Sequence, residues 1–453
     1  MQALRGSVLV SRPTGRGQRC ALKAAAVPRR PHARNSGSVV VAAATESAKS
    51  SASKRRKVTE DKLVVTGPKP YQQTIKQTVG LAGIGLHTAE YAHVRLCPAP
   101  SKTGRYFVRV PDGTLSSVFD QAEAEADREL PSALTDFLQE NEPEKGRRNL
   151  QFFQQWVDES ELGSFTGTFD DWLGERTEEE AVRLLERIRA ALDAIPVEPE
   201  PEPVKGEPRV DAHVSYLVSE SPHYLTLQSD SMVVRGAEHL LAALEASGID
   251  NCRIEIEGGS EIPMVDSTAF GWCEYIMRAG QRASGSDRTP RISPVLGAPV
   301  HVADAAGAFM VATPADTAVV SAGVDWADVP YVGRQWHAWA VEDAVGFVSG
   351  AAPARSCIKS MEQAFAYRRD GLYKGAGEAS VTIGCGDSFH DDNADMFMGS
   401  DPARHAVVDA VGALALLAEG GNAGLPLAHV AAWDATHALH AEFLQAVAKE
   451  LEW

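Results

Sequence analysis

Apolar and polar residues alternate in short runs through QTIKQTVGLAGIGLHTAEYAHVRLCPAP, a period of two that predicts β-strands. Gly80, Gly83 and Gly85 punctuate this stretch and are expected at tight turns. The alternation stops near Pro111, and the period then changes. In RTEEEAVRLLERIRAALDAI apolar residues recur every three or four positions, which predicts a helix, and PVEPEPEPVKGEP after it reads as a stiff, solvated linker. Residues 113–207 are therefore read as an insertion. Strand-like text resumes at AHVSYLV, and RGAEHLLAALEASG predicts a helix with Gly248 as its stop. NCRIEIEGG alternates as a strand, and FGWCEYIMRAG predicts an amphipathic helix ending at Gly280. Beyond the polar linker QRASGSDRTPRISP the same logic repeats. Strands are expected around Val300, Val319 and Val348, helices from about Ser360 and Ala403, and a terminal helix from about Ala435. The pattern predicts an α+β protein of two similar domains, residues 68–285 and 290–453, each a sheet layered with helices.

Charge changes this picture at two places. Residues 1–57 carry 13 Lys and Arg against one acid, Glu46, and contain Pro13, Pro28 and Pro31. Such acid-poor, Arg- and Ser-rich text cannot build a core, so residues 1–60 are expected to be a transit peptide or a disordered basic tail. The chloroplast is the first choice of organelle and the mitochondrion the second. Residues 112–207 hold 25 Asp and Glu against 9 Lys and Arg, so the insertion is a solvated acidic segment to which no chemistry is assigned. The net charge of -17 leaves no basic surface outside the N-terminus, which argues against nucleic-acid binding. No run approaches the ~20 apolar residues that span a bilayer. Six scattered cysteines without a CxxC pair make neither a disulfide scaffold nor a thiolate metal cage.

Three weak signals carry the chemistry. In RHAVVDAVGALALLAEG, His405 and Asp409 stand four apart and share one helix face. That spacing can offer a nitrogen and an oxygen to a metal, but taken alone it is more often an ordinary hydrogen-bonded pair. In AEHLLAAL, Glu238 precedes His239 at the start of a helix; a carboxylate beside a metal-bound histidine can deprotonate water, though a polar first turn also explains the pair. In DATHALHAEFLQAV, His437 opens a helix whose N-terminus disfavours the imidazolium, and His440 follows within a turn.

Taken together and in order, these segments resemble the UDP-3-O-acyl-N-acetylglucosamine deacetylases. GIGLHTAEYAHVRLCPAP is similar to that family's opening signature, and AEHLLAALEASGIDN followed by EIPMVDSTA to its first-domain core. VPYVGRQ, ARS, RHAVVDAVG and HALHAEFLQAV then follow in the family's order. The resemblance covers residues 70–105 and 210–453. It implies a two-domain fold of the ribosomal S5 domain 2-like kind with the active site between the domains. It also implies one Zn2+ per chain, held by His239, His405 and Asp409, with Glu238 as general base and His437 as general acid. Ser356 would supply a hydroxyl near the tetrahedral intermediate, with His87 and Cys357 also against substrate. The implied reaction is hydrolysis of the 2-acetamido group of UDP-3-O-[(3R)-3-hydroxyacyl]-N-acetylglucosamine, the committed step of lipid A synthesis. The oligomeric state is not readable from the sequence, and a monomer is the expectation.

The chain departs from the family pattern at several positions. Ala406 stands where a lysine helps hold the diphosphate, Ala413 where an aspartate orients the general-acid histidine, and Ala308 near a further lysine. Cys357 replaces an aromatic residue and Thr436 a glycine. Glu442 or Asp434 could take over the orienting role. The alternative is a zinc-binding pseudoenzyme or interaction protein of the same fold.

Overall fold

A computed structural model describes residues 69–117, 190, 193–202, 204–218, 221–264, 267–286, 288–377, 380–385, 388–389 and 400–453. The expected transit peptide and most of the acidic insertion with its helix lie outside the described residues.

The first half begins with β1 (Gln73–Ile75), β2 (Val79–Ile84), β3 (Tyr91–Pro98) and β4 (Arg105–Arg109), then β5 (Arg209–Asp211), β6 (Leu217–Val218), β7 (Thr226–Gln228) and β8 (Val233–Arg235). Helix α1 (Glu238–Ala246), β9 (Cys252–Gly258), α2 (Phe270–Ala279) and β10 (Gln281–Ala283) follow. Gly80 and Gly83 lie inside β2 and not in turns. Gly85, just after it, is required by packing, because a Cβ there would collide with the Glu261 carboxylate. Only part of AHVSYLV is strand: the His213 Nδ1 accepts the Ser215 N–H and turns Val214–Tyr216 into a 3-10 helix before β6.

The second half runs β11 (Val300–Ala303), β12 (Phe309–Pro314), β13 (Val319–Trp326), β14 (Gly333–Ala340), β15 (Ser356–Ile358), α3 (Met361–Arg369), β16 (Val381–Cys385), β17 (Ser388–Phe389), α4 (Asp401–Leu414), β18 (Ala428–Trp433) and α5 (His437–Glu450). The strand expected around Val348 is instead helical. The Asp343 carboxylate accepts the Gly346 N–H and starts a turn over Ala344–Gly346, which a wider turn over Phe347–Ala351 continues. The antiparallel partner of β13 is β14, whose alternation GRQWHAWA shows only weak contrast because both faces carry tryptophan.

The two main sheets have the same plan. Their strand orders are β2-β3-β9-β4-β5 and β11-β12-β18-β13-β14, and each has one parallel pair, β4 with β9 and β13 with β18. In each half one helix precedes the last strand of the sheet and another follows it. One continuous core joins inward residues of both sheets, such as Phe107, Ile254 and Ile256, Met310 and Val430, to the apolar faces of the helices. Helices α1 and α4, which occupy equivalent places in the two halves, pack directly on one another. The contact is close because Gly412 has no side chain: a Cβ there would collide with the Glu238 carbonyl oxygen. That approach sets the two chemistry-bearing helices side by side.

The outward face of β9 is charged yet covered. Arg253 bonds both Glu207 (2.6 Å) and Glu255 (2.9 Å), while Glu257 accepts N–H groups of Gly113, Leu115 and Ser116 and the Ser116 hydroxyl. Both ends of the insertion are thus tied to the sheet. Burial alone would raise the Glu257 pKa, but these four donors outweigh it and bring it down to about 2. A group depressed in the folded state stabilises above its unfolded pKa and loses that contribution as pH falls through the folded value. Acid unfolding should therefore weaken the wild type more steeply than Glu257→Gln between about pH 4.5 and 2. Thermal melting across that window checks it; parallel curves would contradict it.

Candidate metal centre and active site

Helix α1 opens without a side-chain cap, so its first-turn N–H groups favour an acid there, and Glu238 occupies that turn. Glu238 is 4 % exposed, and its carboxylate accepts the Leu225 N–H. Burial pushes its pKa up to about 7 against the pull of that hydrogen bond, so it titrates near neutrality. His239 follows on the same turn and faces α4.

Two turns of α4 answer it. His239 Nε2 lies 3.5 Å from Asp409 Oδ1, and His405 Nε2 lies 3.7 Å from Asp409 Oδ2. The His239 and His405 rings meet edge to face at 4.9 Å. One donor atom from each of His239, His405 and Asp409 falls within 4.8 Å of the others. Donors bound at ~2.0–2.2 Å to one tetrahedral ion stand about 3.3–3.6 Å apart, so this set fits a metal after small adjustment. Among the described residues it is the one cluster of three His, Cys, Asp or Glu side chains that could hold an ion. The His405 Nδ1–H donates to the Ala354 carbonyl (3.0 Å), which leaves the Nε2 lone pair facing Asp409. Burial alone would raise the Asp409 pKa; the imidazoles of His405, His437 and His239 instead hold it well below the carboxylate range.

Helix α5 supplies the fifth group. Thr436 caps it, its hydroxyl accepting the Leu439 N–H, so the residue that replaces the expected glycine fixes where the helix begins. His437 at the first helical position places Nδ1 3.3 Å from Glu238 Oε1 and Nε2 3.8 Å from Asp409 Oδ2. Its Nδ1 makes no hydrogen bond, the Glu238 contact lacking the alignment for one. Burial pushes its pKa down to about 3. Of the substitutes suggested for the orienting aspartate, Glu442 is exposed, and Asp434, also exposed, accepts the Asp325 N–H through its carboxylate. Ala413 is buried and Ala406 half-buried in apolar packing. His440 lies edge-on to His437 at 5.3 Å and is also buried.

The remaining expected residues converge here too. The Ser356 hydroxyl stands 3.1 Å from His405 Nε2, and Ser356, Cys357 and His87 line the same cavity as the three clustered donors, Glu238 and His437. The cavity measures about 180 Å³. The structure adds residues with no sequence signal of their own, His223, Tyr224 and Tyr373, and gives Glu261 of the EIPMVDSTA segment a task. The buried Glu261 carboxylate accepts the N–H groups of His87 (2.9 Å) and Thr88 (2.7 Å) and the Thr88 hydroxyl (2.7 Å), pinning the loop that carries His87. Glu261→Ala should leave those donors unsatisfied at about 1–3 kcal/mol each and raise KM more than it lowers kcat; Glu261→Gln should recover part of both. Denaturant melts with steady-state kinetics check this.

Comparison with known proteins decides the family. The family model described as LpxC, UDP-3-O-acyl N-acetylglycosamine deacetylase, matches residues 72–137 and 202–449. The chain belongs to that deacetylase family. A relative from Arabidopsis thaliana, named probable UDP-3-O-acyl-N-acetylglucosamine deacetylase 1, mitochondrial, is 35% identical over 233 residues, 49% of this chain and 70% of its own length. The UDP-3-O-acyl-N-acetylglucosamine deacetylase of Trichormus variabilis is 28% identical over 382 residues, 83% of this chain and 98% of its own length. That of Synechocystis is 32% identical over 247 residues, 53% of this chain and 83% of its own length. Members of this deacetylase family are metalloenzymes, consistent with the donor set between α1 and α4. Among the described residues, no helix is long and apolar enough to cross a membrane.

Proposed function

We propose that the chain hydrolyses the 2-acetamido group of UDP-3-O-[(3R)-3-hydroxyacyl]-N-acetylglucosamine, releasing acetate in the committed step of lipid A synthesis. The observation that carries this reading is the meeting of His239, His405 and Asp409 beside Glu238 and His437 in one cavity. The neutral imidazoles and single carboxylate suit Zn2+, and three protein ligands leave a position open. When bound, zinc polarises the amide carbonyl and makes water acidic enough to ionise near neutrality.

The chain's own residues would handle the protons. Glu238, titrating near neutrality, takes the proton from the attacking water. Its Oε1 lies 3.3 Å from His437 Nδ1, so a small rotation that aligns the two would let the proton pass to the imidazole, which returns one to the departing amine. The Ser356 hydroxyl stands 3.1 Å from His405 Nε2; with that nitrogen holding a metal, the hydroxyl would be free to donate to the developing oxyanion.

The names of the plant relatives favour a mitochondrial destination over the chloroplast first expected from composition. Activity is tested by acetate release from the UDP-3-O-acyl substrate, its loss on chelation and its return on adding zinc. Zinc binding without acetate release would favour the pseudoenzyme reading, for which Ala413 and the unpartnered His437 Nδ1 speak.

A further inference from the structure

His437 is anchored at its backbone and free of hydrogen bonds at its ring. Thr436 fixes the first turn of α5 through its hydroxyl and through its carbonyl, which accepts the His440 N–H at 2.9 Å. The His437 N–H reaches across to the Pro222 carbonyl (3.3 Å). These bonds set where the side chain starts, but none sets how the imidazole turns. Its Nδ1 makes no hydrogen bond, and its Nε2 lies 3.8 Å from Asp409 Oδ2, beyond hydrogen-bond reach.

Among the described residues, the ring packed on it is that of His440. The two stand three positions apart, so their side chains share one face of α5. The rings meet edge to face, with centroids 5.3 Å apart and planes at 82°. In that arrangement the positive edge of one ring lies against the negative face of the other. His440 is 3 % exposed, one turn inside the helix, with little room to change rotamer. Its Nδ1 is buried without a hydrogen bond, a cost that an aliphatic side chain of similar size would not carry. What the imidazole has in return is its contact with His437.

That contact bears on the proton step. Nδ1 of His437 is 3.3 Å from Glu238 Oε1, a small rotation short of alignment. A ring free to turn about its own axis would swing Nδ1 away, and misplacing a reacting group by ~1 Å can cost ~10²-fold in rate. Resting on the reading of the site as a deacetylase, we propose that His440 is a positioning residue, whose ring holds the His437 imidazole with Nδ1 towards Glu238 and Nε2 towards Asp409. His440 does not line the cavity, so it acts through His437.

The test compares wild type, His440→Ala, His440→Leu and His440→Phe as zinc-loaded chains carrying isotope-labelled histidine. Zinc content, kcat and KM for acetate release, and the His437 ring nitrogen signals in NMR are read on the same samples, the signals being assigned by their loss in His437→Gln. His440→Ala should keep its zinc and its KM while kcat falls ~10–100-fold, and the His437 signals should broaden or split. His440→Leu fills the space without a ring and should lose nearly as much. His440→Phe restores a ring and should recover most of kcat and the sharp signals. Should phenylalanine prove too large for the site to fold, leucine against wild type still decides between a ring and mere bulk. Wild-type kcat and signals in His440→Ala, full recovery in His440→Leu, or loss of zinc from the alanine variant would overturn the proposal. Signals that depend on the His440 ring, with no acetate release from any sample, would uphold the placement of His437 and reject the deacetylase reading. Acetate release with kcat and signals indifferent to the side chain at position 440 would do the reverse.

Discussion

Glu238→Ala should lower acetate release by ~10²–10⁴-fold, the usual contribution of a placed general base, and leave zinc bound. The reasoning is geometric. Glu238 is not among the three clustered donors, which sit on His239, His405 and Asp409, so its loss removes no ligand. It is, however, the buried carboxylate whose pKa stands at about 7, and His437 Nδ1 is 3.3 Å away. Removing it takes away both the acceptor for the water proton and the contact through which that proton reaches His437. Glu238→Gln should behave nearly as badly, since the amide keeps the Leu225 hydrogen bond but cannot take a proton. Zinc analysis beside steady-state kinetics separates the outcomes. Loss of zinc in both variants would mean that Glu238 holds the metal centre together; undiminished turnover would mean that another group is the base.

The second large effect concerns how the halves hold together. Glu245, at the far end of α1, bonds Arg105 at 2.6 Å with both side chains fully buried, and lies 3.4 Å from Arg291. Its carboxylate also accepts the Gly424 and Leu425 N–H groups from the second half. Arg291 bonds Asp250 at 2.7 Å, and the Arg105 side chain donates to the Ile249 carbonyl. Burial would raise the Glu245 pKa, but Arg105 and Arg291 overrule it and hold it low. Glu245→Ala would strand Arg105 in the interior and orphan two backbone donors, which costs about 3–5 kcal/mol. Glu245→Gln should lose less, because it keeps the acceptor for those N–H groups. Urea unfolding of the zinc-loaded protein measures both; an alanine variant within about 1 kcal/mol of wild type would show that the network is solvated and not structural.

What the sequence disclosed follows from what is local. Period-two alternation marked β3 and β9, in β9 because Ile254 and Ile256 alternate with Arg253, Glu255 and Glu257 although both faces are covered, and period 3.6 marked α1, α4 and α5. His405 and Asp409 were legible as a pair because four residues is one helical turn. The approach of His239 to that pair was not legible from spacing; it depends on Gly412 allowing α4 to rest against the start of α1, and the ordered resemblance to a family supplied it. Val348 misled because a valine beside Phe347 reads as strand until the Asp343 cap is seen. Tyr373 gave no signal, since only the fold brings it to the cavity. The acidic composition of residues 112–207 hid the reason for Glu257, which lies in the donors of residues 113–116.

The most direct test of the central claim is the zinc content of wild type and Asp409→Ala, measured with acetate release on the same samples. The account predicts one zinc per wild-type chain with turnover, and in the variant a loss of both. An active wild type free of metal, or a variant that keeps its zinc, would contradict the assignment of His239, His405 and Asp409 as the site on which the chemistry depends.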